Sequence, residues 1–469
     1  MDLERLVTAL GPLEVRGGAP TDVADLAYDT RAVVPGALFF CVPGHRIDGH
    51  EFAAEAVERG AAALVVERPL ELRVPQLIVA SARDAMPIVA DEFFERPTEE
   101  LVVAGVTGTN GKTTTVFLLH SIFEAAGMRP GLIGTIESRV GGEARPAVRT
   151  TPEAIDLQRT FRAMLDAGDR SCAMEATSHG SELGRLDRVR FKVLAFTNLS
   201  QDHLDFHGSM ERYFEAKRRL FTEHEPAPAA AVNVTNEWGR ALAGELRRLD
   251  RAPVLTFGPV AEAELASHPA LERSRLAGSF NVENVLAAAA LSRLLGVSDE
   301  AVVEGVALVP GVPGRFESID EGQPFAVIVD YSHKPGALEA VLRTARELTD
   351  GRLICVFGAG GDRDRGKRPM MGRVASELAD ITIVTSDNPR SEDPQAIIDE
   401  ILTGVVGPVE VEIERRPAIE RALSQAGDGD VVVIAGKGAE QGQEFADRKI
   451  PFDDREVARE TLRRLGAPA

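Results

Sequence analysis

Short apolar runs recur along this chain, and helical patterns separate them. ALFFCV, AALVVE and QLIVAS come first, LVVAGV, KVLAFTNL and AAAVNV follow, and FAVIVDY, RLICVFG, ITIVTS and DVVVIAG close the series. Each run is apolar at consecutive rather than alternate positions, so each strand must be covered on both faces. Such strands alternating with helices specify parallel sheets in α/β layers. Two turn-rich breaks divide the series. FFERPTEE (93–100) ends an amphipathic helix in Pro and acidic residues, and VPGVPGRFE (309–317) sets two Pro-Gly pairs before FAVIVDY. Division at about 97 and 312 gives three α/β units, 1–97, 98–312 and 313–469, and a length of 469 residues agrees with about three domains.

Composition narrows the function. Formal net charge is −20, which argues against a general nucleic-acid binder, since such proteins carry a basic footprint. No apolar run reaches the ~18 residues of a membrane-spanning helix. The start, MDLERLVTALG, lacks an apolar signal core, so a cytoplasmic location is expected. Cys41, Cys172 and Cys355 lie inside apolar runs, far apart and odd in number. They read as buried thiols rather than a disulfide or zinc site.

The chemistry starts at GVTGTNGKTTT, Gly105 to Thr115, between the run LVVA and the helical pattern VFLLHSIFEAAG. The strict P-loop spacing G-x-x-x-x-G-K-[ST] wants glycine where Val106 stands, so the literal pattern is missed. The context of strand, glycine loop and helix still suits a polyphosphate, held by backbone N–H groups and the helix N-terminus. In that reading Lys112 pairs with the β/γ oxygens and Thr113 turns its hydroxyl to Mg²⁺; otherwise the segment is an ordinary glycine turn. Glu175 in AMEATSHG ends an apolar run, at the strand edge where α/β sheets bind ligands. It is expected there as an exposed carboxylate and a second Mg²⁺ ligand, or as a plain strand-end acid. After KVLAFTNL come Asp202, His203, Asp205 and His207, then an amphipathic helix carrying Lys217. Taken singly these residues read as a solvated loop and a basic helix face.

Together the motifs resemble the Mur ligases, the ATP-dependent amino-acid-adding enzymes of peptidoglycan precursor synthesis. GVTGTNGKTTT, MEATSHG, TNLSQDHLDFHG with YFEAKRRLF, GSFNVENVLAA, PGRFE, DYSHKPGAL, FGAGGDRDRGKRP and SDNPRSEDP occur in the family's order, from about residue 22 to 460. The family's own loop pattern, GxxGTxGK[ST][ST], fits Gly105 to Thr114. The resemblance implies a three-domain architecture, with a central P-loop parallel-sheet domain and a Rossmann-like C-terminal domain. It implies ATP phosphates on Gly108, Thr109, Asn110, Gly111, Lys112, Thr113 and Thr114, and nucleotide contacts from Asn284, Arg315 and Asp330. It implies Mg²⁺ on Thr113 and Glu175, and a second ion on His203 and on Lys217 as a carbamate, since an ammonium cannot ligate a cation. Lys112, Lys217, His203 and Glu175 are the implied catalytic set.

The first unit would carry the uridine end of a UDP-N-acetylmuramoyl-L-Ala-D-Glu substrate, through Thr30, His45 and Arg46; Thr30 stands where Ser is usual. Thr150, Thr151, Thr177 and Arg185 would hold the muramoyl-dipeptide, with Leu183 at a family glutamine position. The third unit would select meso-diaminopimelate through Arg363, Asp387, Asn388, Pro389, Arg390, Gly436 and Glu440. An Arg in DNPR suits a distal carboxylate, and L-lysine or another diamino acid is the alternative. Two departures touch this unit: Ala439 stands where His is usual, and DYSHKPGAL carries Lys334 and Gly336 for Thr and Asp. The implied reaction is phosphorylation of the D-Glu γ-carboxylate followed by amine attack, by a monomer without nucleic-acid or membrane partners. A P-loop switch or motor would need a guanine-specificity motif or an arginine-finger surface, which the sequence does not offer. A binding protein without catalysis is disfavoured by the presence of Lys112, Glu175, His203 and Lys217 together, and folylpolyglutamate synthetase by DNPR beside a full-length first unit.

Overall fold

The structure is a computed structural model that describes residues 1–18, 22–44 and 47–466. Among the described residues the chain is α/β throughout, built on three large sheets with a small antiparallel pair, Gly442–Glu444 and Lys449–Pro451, beside them. The first has the order Glu14–Arg16, Gln76–Ile78, Ala63–Val66, Leu38–Phe40, Leu26–Ala27, parallel except for its first strand. The second has eight strands, Val254–Phe257, Ala229–Asn233, Phe191–Phe196, Val102–Thr107, Ser171–Glu175, Pro130–Ile133, Glu137–Val140 and Glu143–Pro146. The third has six, Glu317–Ser318, Ala326–Asp330, Val431–Ala435, Leu353–Phe357, Ile381–Val384 and Glu410–Val411, and is parallel but for Glu317–Ser318.

The apolar runs form the interior strands, and their double-sided character is explained by packing. In the second sheet Ala104 and Val106 face one core with the helix residues Leu118, Leu119 and Ile122, while Val103 faces another with Phe161 and Phe191. The third sheet likewise divides between two cores, so helices cover both faces. The three cysteines are buried free thiols. The antiparallel edge Glu137–Val140 with Glu143–Pro146 was not expected from the apolar runs; its residues are half-buried and exposed.

Parallel strands end on one edge. In the second sheet Glu175 is level with Val106, and Phe196 with Thr107. The loops after these strands therefore converge, and the central strand Val102–Thr107 has its neighbours connected on opposite sides, the crevice where α/β sheets bind ligands. In the third sheet Asp330 is level with Ala435, so the loops beginning at Tyr331 and Gly436 share an edge. A fully buried ion pair braces that edge from behind: Arg415 Nη2 lies 2.6 Å from Asp454 Oδ2 and also donates to Ala435 O.

Candidate active site

The glycine loop is clamped by the end of strand Phe191–Phe196. Thr197 Oγ1 donates to Asn110 O at 2.6 Å, and Asn110 N donates to Asn198 Oδ1 at 2.9 Å. At Gly108 (φ +145°) a Cβ would lie 1.9 Å from Thr197 Oγ1, and at Gly111 (φ +86°) 2.3 Å from Asn284 Oδ1. Both positions therefore require glycine. The helix Lys112–Ala125 starts at once, so its unpaired N–H groups face the loop. Lys112 Nζ donates to Gly108 O and Thr109 O.

Glu175 corrects one expectation. It is 1% exposed rather than open at the strand edge. Thr113 Oγ1 donates to its Oε1 at 2.9 Å and Thr135 N at 2.7 Å, because the turn after Pro130–Ile133 folds over it. Arg315, from the third unit, donates to Thr113 Oγ1 at 3.2 Å and lies over the Tyr331 ring at 4.3 Å. Asp330 accepts from Phe316 N and Ser332 N, each at 2.7 Å, and Asn284 donates to Asn281 Oδ1. Burial raises the Asp330 carboxyl above its ordinary range, against Ser332 and Arg315.

Glu175, Asn284, Arg315, Asp330 and Tyr331 line a cavity of about 440 Å³ with Thr109 to Thr114, Thr177, His203 and Lys334. Cations crowd it. Desolvation pushes the Lys112 ammonium down to about 8, and the charge on Lys334 adds to the shift. Lys217 is 1% exposed, and its Nζ donates to Gly108 O at 3.0 Å. Burial drives it well below its ordinary range, aided by Lys112 and Lys334. His203, at φ +52°, points Nε2 at Asp202 Oδ2, 2.8 Å away. Burial pushes the Asp202 carboxyl up, but Lys334 and His203 outweigh it and hold the group below the carboxylate range.

Thr113 and Glu175 offer hard oxygen donors of the kind Mg²⁺ takes, an ion that binds through one or two protein groups and completes its shell with phosphates and water. Among the described residues no group of three or more His, Cys, Asp or Glu is placed to cage a metal. An ion there would be held largely through a nucleotide.

A second cavity, of about 770 Å³, adjoins the first; Thr135, Thr150, Arg315 and Tyr331 line both. Its far wall is Asn388, Arg390, Lys437, Glu440 and Glu444. Asn388 Nδ2 donates to Glu440 Oε2 at 2.8 Å, and Lys437 Nζ donates to Asn388 Oδ1 and Glu440 Oε2. Asp387 is buried, and its Oδ2 would lie 2.6 Å from a Cβ at Gly436 (φ +122°). Burial raises the Asp387 carboxyl, but Lys437 and Arg415 outweigh it and hold it low. Arg390 (φ +51°) donates to Gly361 O at 2.8 Å and lies 3.2 Å from Glu444 Oε2. Pro389 O packs against Gly361. Arg363 is exposed beside Gly360, donates to Asp362 O, and is not among the lining residues.

Between the two cavities and the first unit, Thr177 Oγ1 donates to Thr151 Oγ1 at 2.9 Å, Thr151 Oγ1 to Glu175 O, and Arg185 to Thr151 O. Arg185 also pairs with Glu153 at 2.8 Å, and Thr150 Oγ1 lies 3.1 Å from Thr135 Oγ1. Thr30 is buried in the turn Thr30–Ala32 and lines neither cavity. His45 and Arg46 lie outside the described residues. Sequence reasoning missed Lys334 as a cavity residue, Lys437 and Glu444. Lys437 had a signal, a lysine between two glycines at a strand end; Glu444 had none.

Three family models match: the Mur ligase family catalytic domain over residues 22–109, the Mur ligase middle domain over 106–292 and the Mur ligase glutamate ligase domain over 314–438. UDP-N-acetylmuramoyl-L-alanyl-D-glutamate–2,6-diaminopimelate ligase of Solibacter usitatus is 46% identical, covering 96% of this chain and 95% of that protein. The protein of the same name from Geobacillus kaustophilus is 43% identical over 99% of this chain and all of its own length. A solved structure with that enzyme name superposes with a TM-score of 0.65 at 30% identity, covering 98% of this chain and 99% of that one.

Proposed function

The chain belongs to the Mur ligase family, and from that premise we propose that it is an ATP-dependent, ADP-forming ligase. It joins meso-2,6-diaminopimelate to the D-Glu γ-carboxylate of UDP-N-acetylmuramoyl-L-Ala-D-Glu. The observation that carries this reading is the wall shared by the two cavities. The phosphate loop lies on one side, the DNPR loop on the other, and Thr135, Thr150, Arg315 and Tyr331 lie between.

A carboxylate does not react with an amine near neutral pH, because oxide is a poor leaving group. In the first step a γ-carboxylate oxygen attacks the γ-phosphorus of ATP, ADP departs, and an acyl phosphate forms. In the second, a neutral amine of the diamino acid attacks the acyl carbon. The tetrahedral intermediate collapses, inorganic phosphate leaves, and the nitrogen loses a proton to give the amide. Little covalent chemistry falls to the protein, so positioning and charge dominate. Gly108 to Thr114 and Lys112 grip the polyphosphate, and Arg315 adds positive charge from the third unit. Bound Mg²⁺ would supply charge neutralisation to the phosphoryl oxygens, with Thr113 and Glu175 as its protein ligands and His203 toward a second ion.

Lys217 suits carbamate formation physically. Its amine is buried, and burial disfavours the ammonium and favours the neutral nitrogen that can attack carbon dioxide. Residues 1–97, 98–312 and 313–469 are assigned as UDP-binding, ATP-binding and amino-acid-binding units, a reading supported by one large sheet in each, with Thr30, His45 and Arg46 assigned to the uridine end and Thr150, Thr151, Thr177 and Arg185 to the muramoyl-dipeptide. Arg390, Asn388, Gly436 and Glu440, with Asp387, Pro389 and Arg363 shaping the loop, are assigned to the distal end of the diamino acid. A monomer acting in the cytoplasm is the working expectation, tested by light scattering and by fractionation.

One contact favours a second reading. The Glu444 carboxylate already sits on Arg390, which weakens that guanidinium's claim on a distal carboxylate and would suit an ammonium-ended partner such as L-lysine. A coupled ADP assay decides both matters. ADP formation that needs the UDP-dipeptide and runs faster with meso-diaminopimelate than with L-lysine supports the proposal. Faster turnover with lysine reverses the amino acid, and ADP formation without either acceptor removes the ligase reading.

A further inference from the structure

The three units are not joined alike. Ion pairs rivet the first to the second: Arg159–Asp25 at 2.8 Å, Arg190–Asp91 at 2.8 Å and Arg83–Glu153 at 3.6 Å. Between the second and the third, among the described residues, one ion pair crosses: Lys334 Nζ to Asp202 Oδ2 at 2.6 Å. Both side chains are about nine-tenths buried, at 11% and 10% exposed. Both ends are also mounted stiffly. Lys334 caps the helix Pro335–Arg346, with proline next to it, and its loop is held from behind by Lys367 Nζ donating to His333 O at 2.9 Å. Asp202 is fixed by His203 Nε2 on the same oxygen.

A charge pair in this place differs from an apolar contact. Breaking a buried pair by deleting one partner strands the other charge. Opening the cleft strands neither, because both return to water together. The desolvation cost offsets part of the attraction, so the contact holds the cleft shut without locking it. We propose that the Lys334–Asp202 pair is the clasp that closes the third unit over the nucleotide cavity, making Lys334 a positioning residue whose partner is the protein rather than the phosphates.

The clasp is tested first without any substrate, so this arm stands apart from the ligase reading. Small-angle X-ray scattering of the full chain compares wild type with Lys334→Met, Asp202→Asn, the double variant and Lys334→Arg. Lys334→Met and Asp202→Asn should raise the radius of gyration and maximum dimension alike, the double variant no further, and Lys334→Arg should stay near wild type. The second arm rests on the ligase reading. Each single variant should raise KM for the diamino acid about tenfold, while ADP affinity, measured by calorimetry, changes less than about threefold. Lys334→Met keeps the stem's length and apolar packing, and circular dichroism matching wild type confirms folding. Unchanged scattering in all variants overturns the clasp. So does a loss of ADP affinity of about tenfold or more in Lys334→Met that Asp202→Asn does not share, because Lys334 would then be a phosphate ligand.

Discussion

Arg315 Nη2 donates to Thr113 Oγ1 at 3.2 Å, although the two residues lie 202 positions apart in the chain. Thr113 Oγ1 in turn donates a hydrogen bond to Glu175 Oε1. The third unit therefore touches the residues proposed to hold the phosphates, not merely their rim. Arg315→Lys keeps the charge but loses the planar fork. It should lower kcat by about 10- to 100-fold, roughly 1.4 to 3 kcal/mol of barrier, with ADP affinity less affected. Steady-state kinetics beside calorimetry make the comparison, and an equal loss in both would remove Arg315 from the reacting phosphate.

Lys217→Ala should abolish turnover, and short carboxylic acids should restore part of it by placing oxygens where a carbamate would stand. In the wild type, ¹³C-bicarbonate should give a carbamate resonance that the variant lacks. Full activity in Lys217→Ala, or no such resonance, sinks the assignment.

Nucleotide binding should be linked to proton uptake. Lys112 sits at about 8 in the free protein, and a bound polyphosphate anion must raise it. Between the free and bound values the complex holds more protons than its parts, so affinity falls as pH rises through that window. Calorimetry of ADP at about pH 9 in buffers of different ionisation enthalpy should read net uptake, which Lys112→Met reduces. Release instead of uptake would contradict the sign.

Arg390→Ala should raise KM for meso-diaminopimelate about tenfold or more, about 1.4 kcal/mol, with KM for ATP little changed. Glu444→Gln should act in the opposite direction on the carboxylate-ended substrate, because it frees the guanidinium. If neither variant alters the preference over L-lysine, the DNPR loop does not read the distal end.

Arg415→Met should destabilise the third unit by about 3–5 kcal/mol, because Asp454 is left buried and unpaired. Replacing both residues by apolar ones of similar volume should cost less. Differential scanning calorimetry checks the order of the midpoints.

What the sequence disclosed follows from what burial imprints. LVVAGV, KVLAFTNL and DVVVIAG are apolar at consecutive positions because helices cover both faces, and that alone predicts parallel sheets. The glycine loop was legible because Gly108 and Gly111 admit no side chain. Glu175 was misjudged as exposed, since the turn at Gly134 and Thr135 that covers it leaves no apolar signature. The hairpin Glu137–Val140 with Glu143–Pro146 escaped because a half-exposed edge needs no apolar run. Lys334, Lys437 and Glu444 take their meaning from Asp202, Asn388 and Arg390, partners that only tertiary folding brings near.

The common wall of Thr135, Thr150, Arg315 and Tyr331 bears on inhibition. Since the same four side chains line both chambers, a single compound with a tetrahedral phosphorus centre is expected to span them with a short tether. Such a compound would gain from both subsites at the entropic cost of immobilising one molecule. On the proposed reading, resistance through those four positions would come at the expense of turnover, because the same side chains would frame the bond being made.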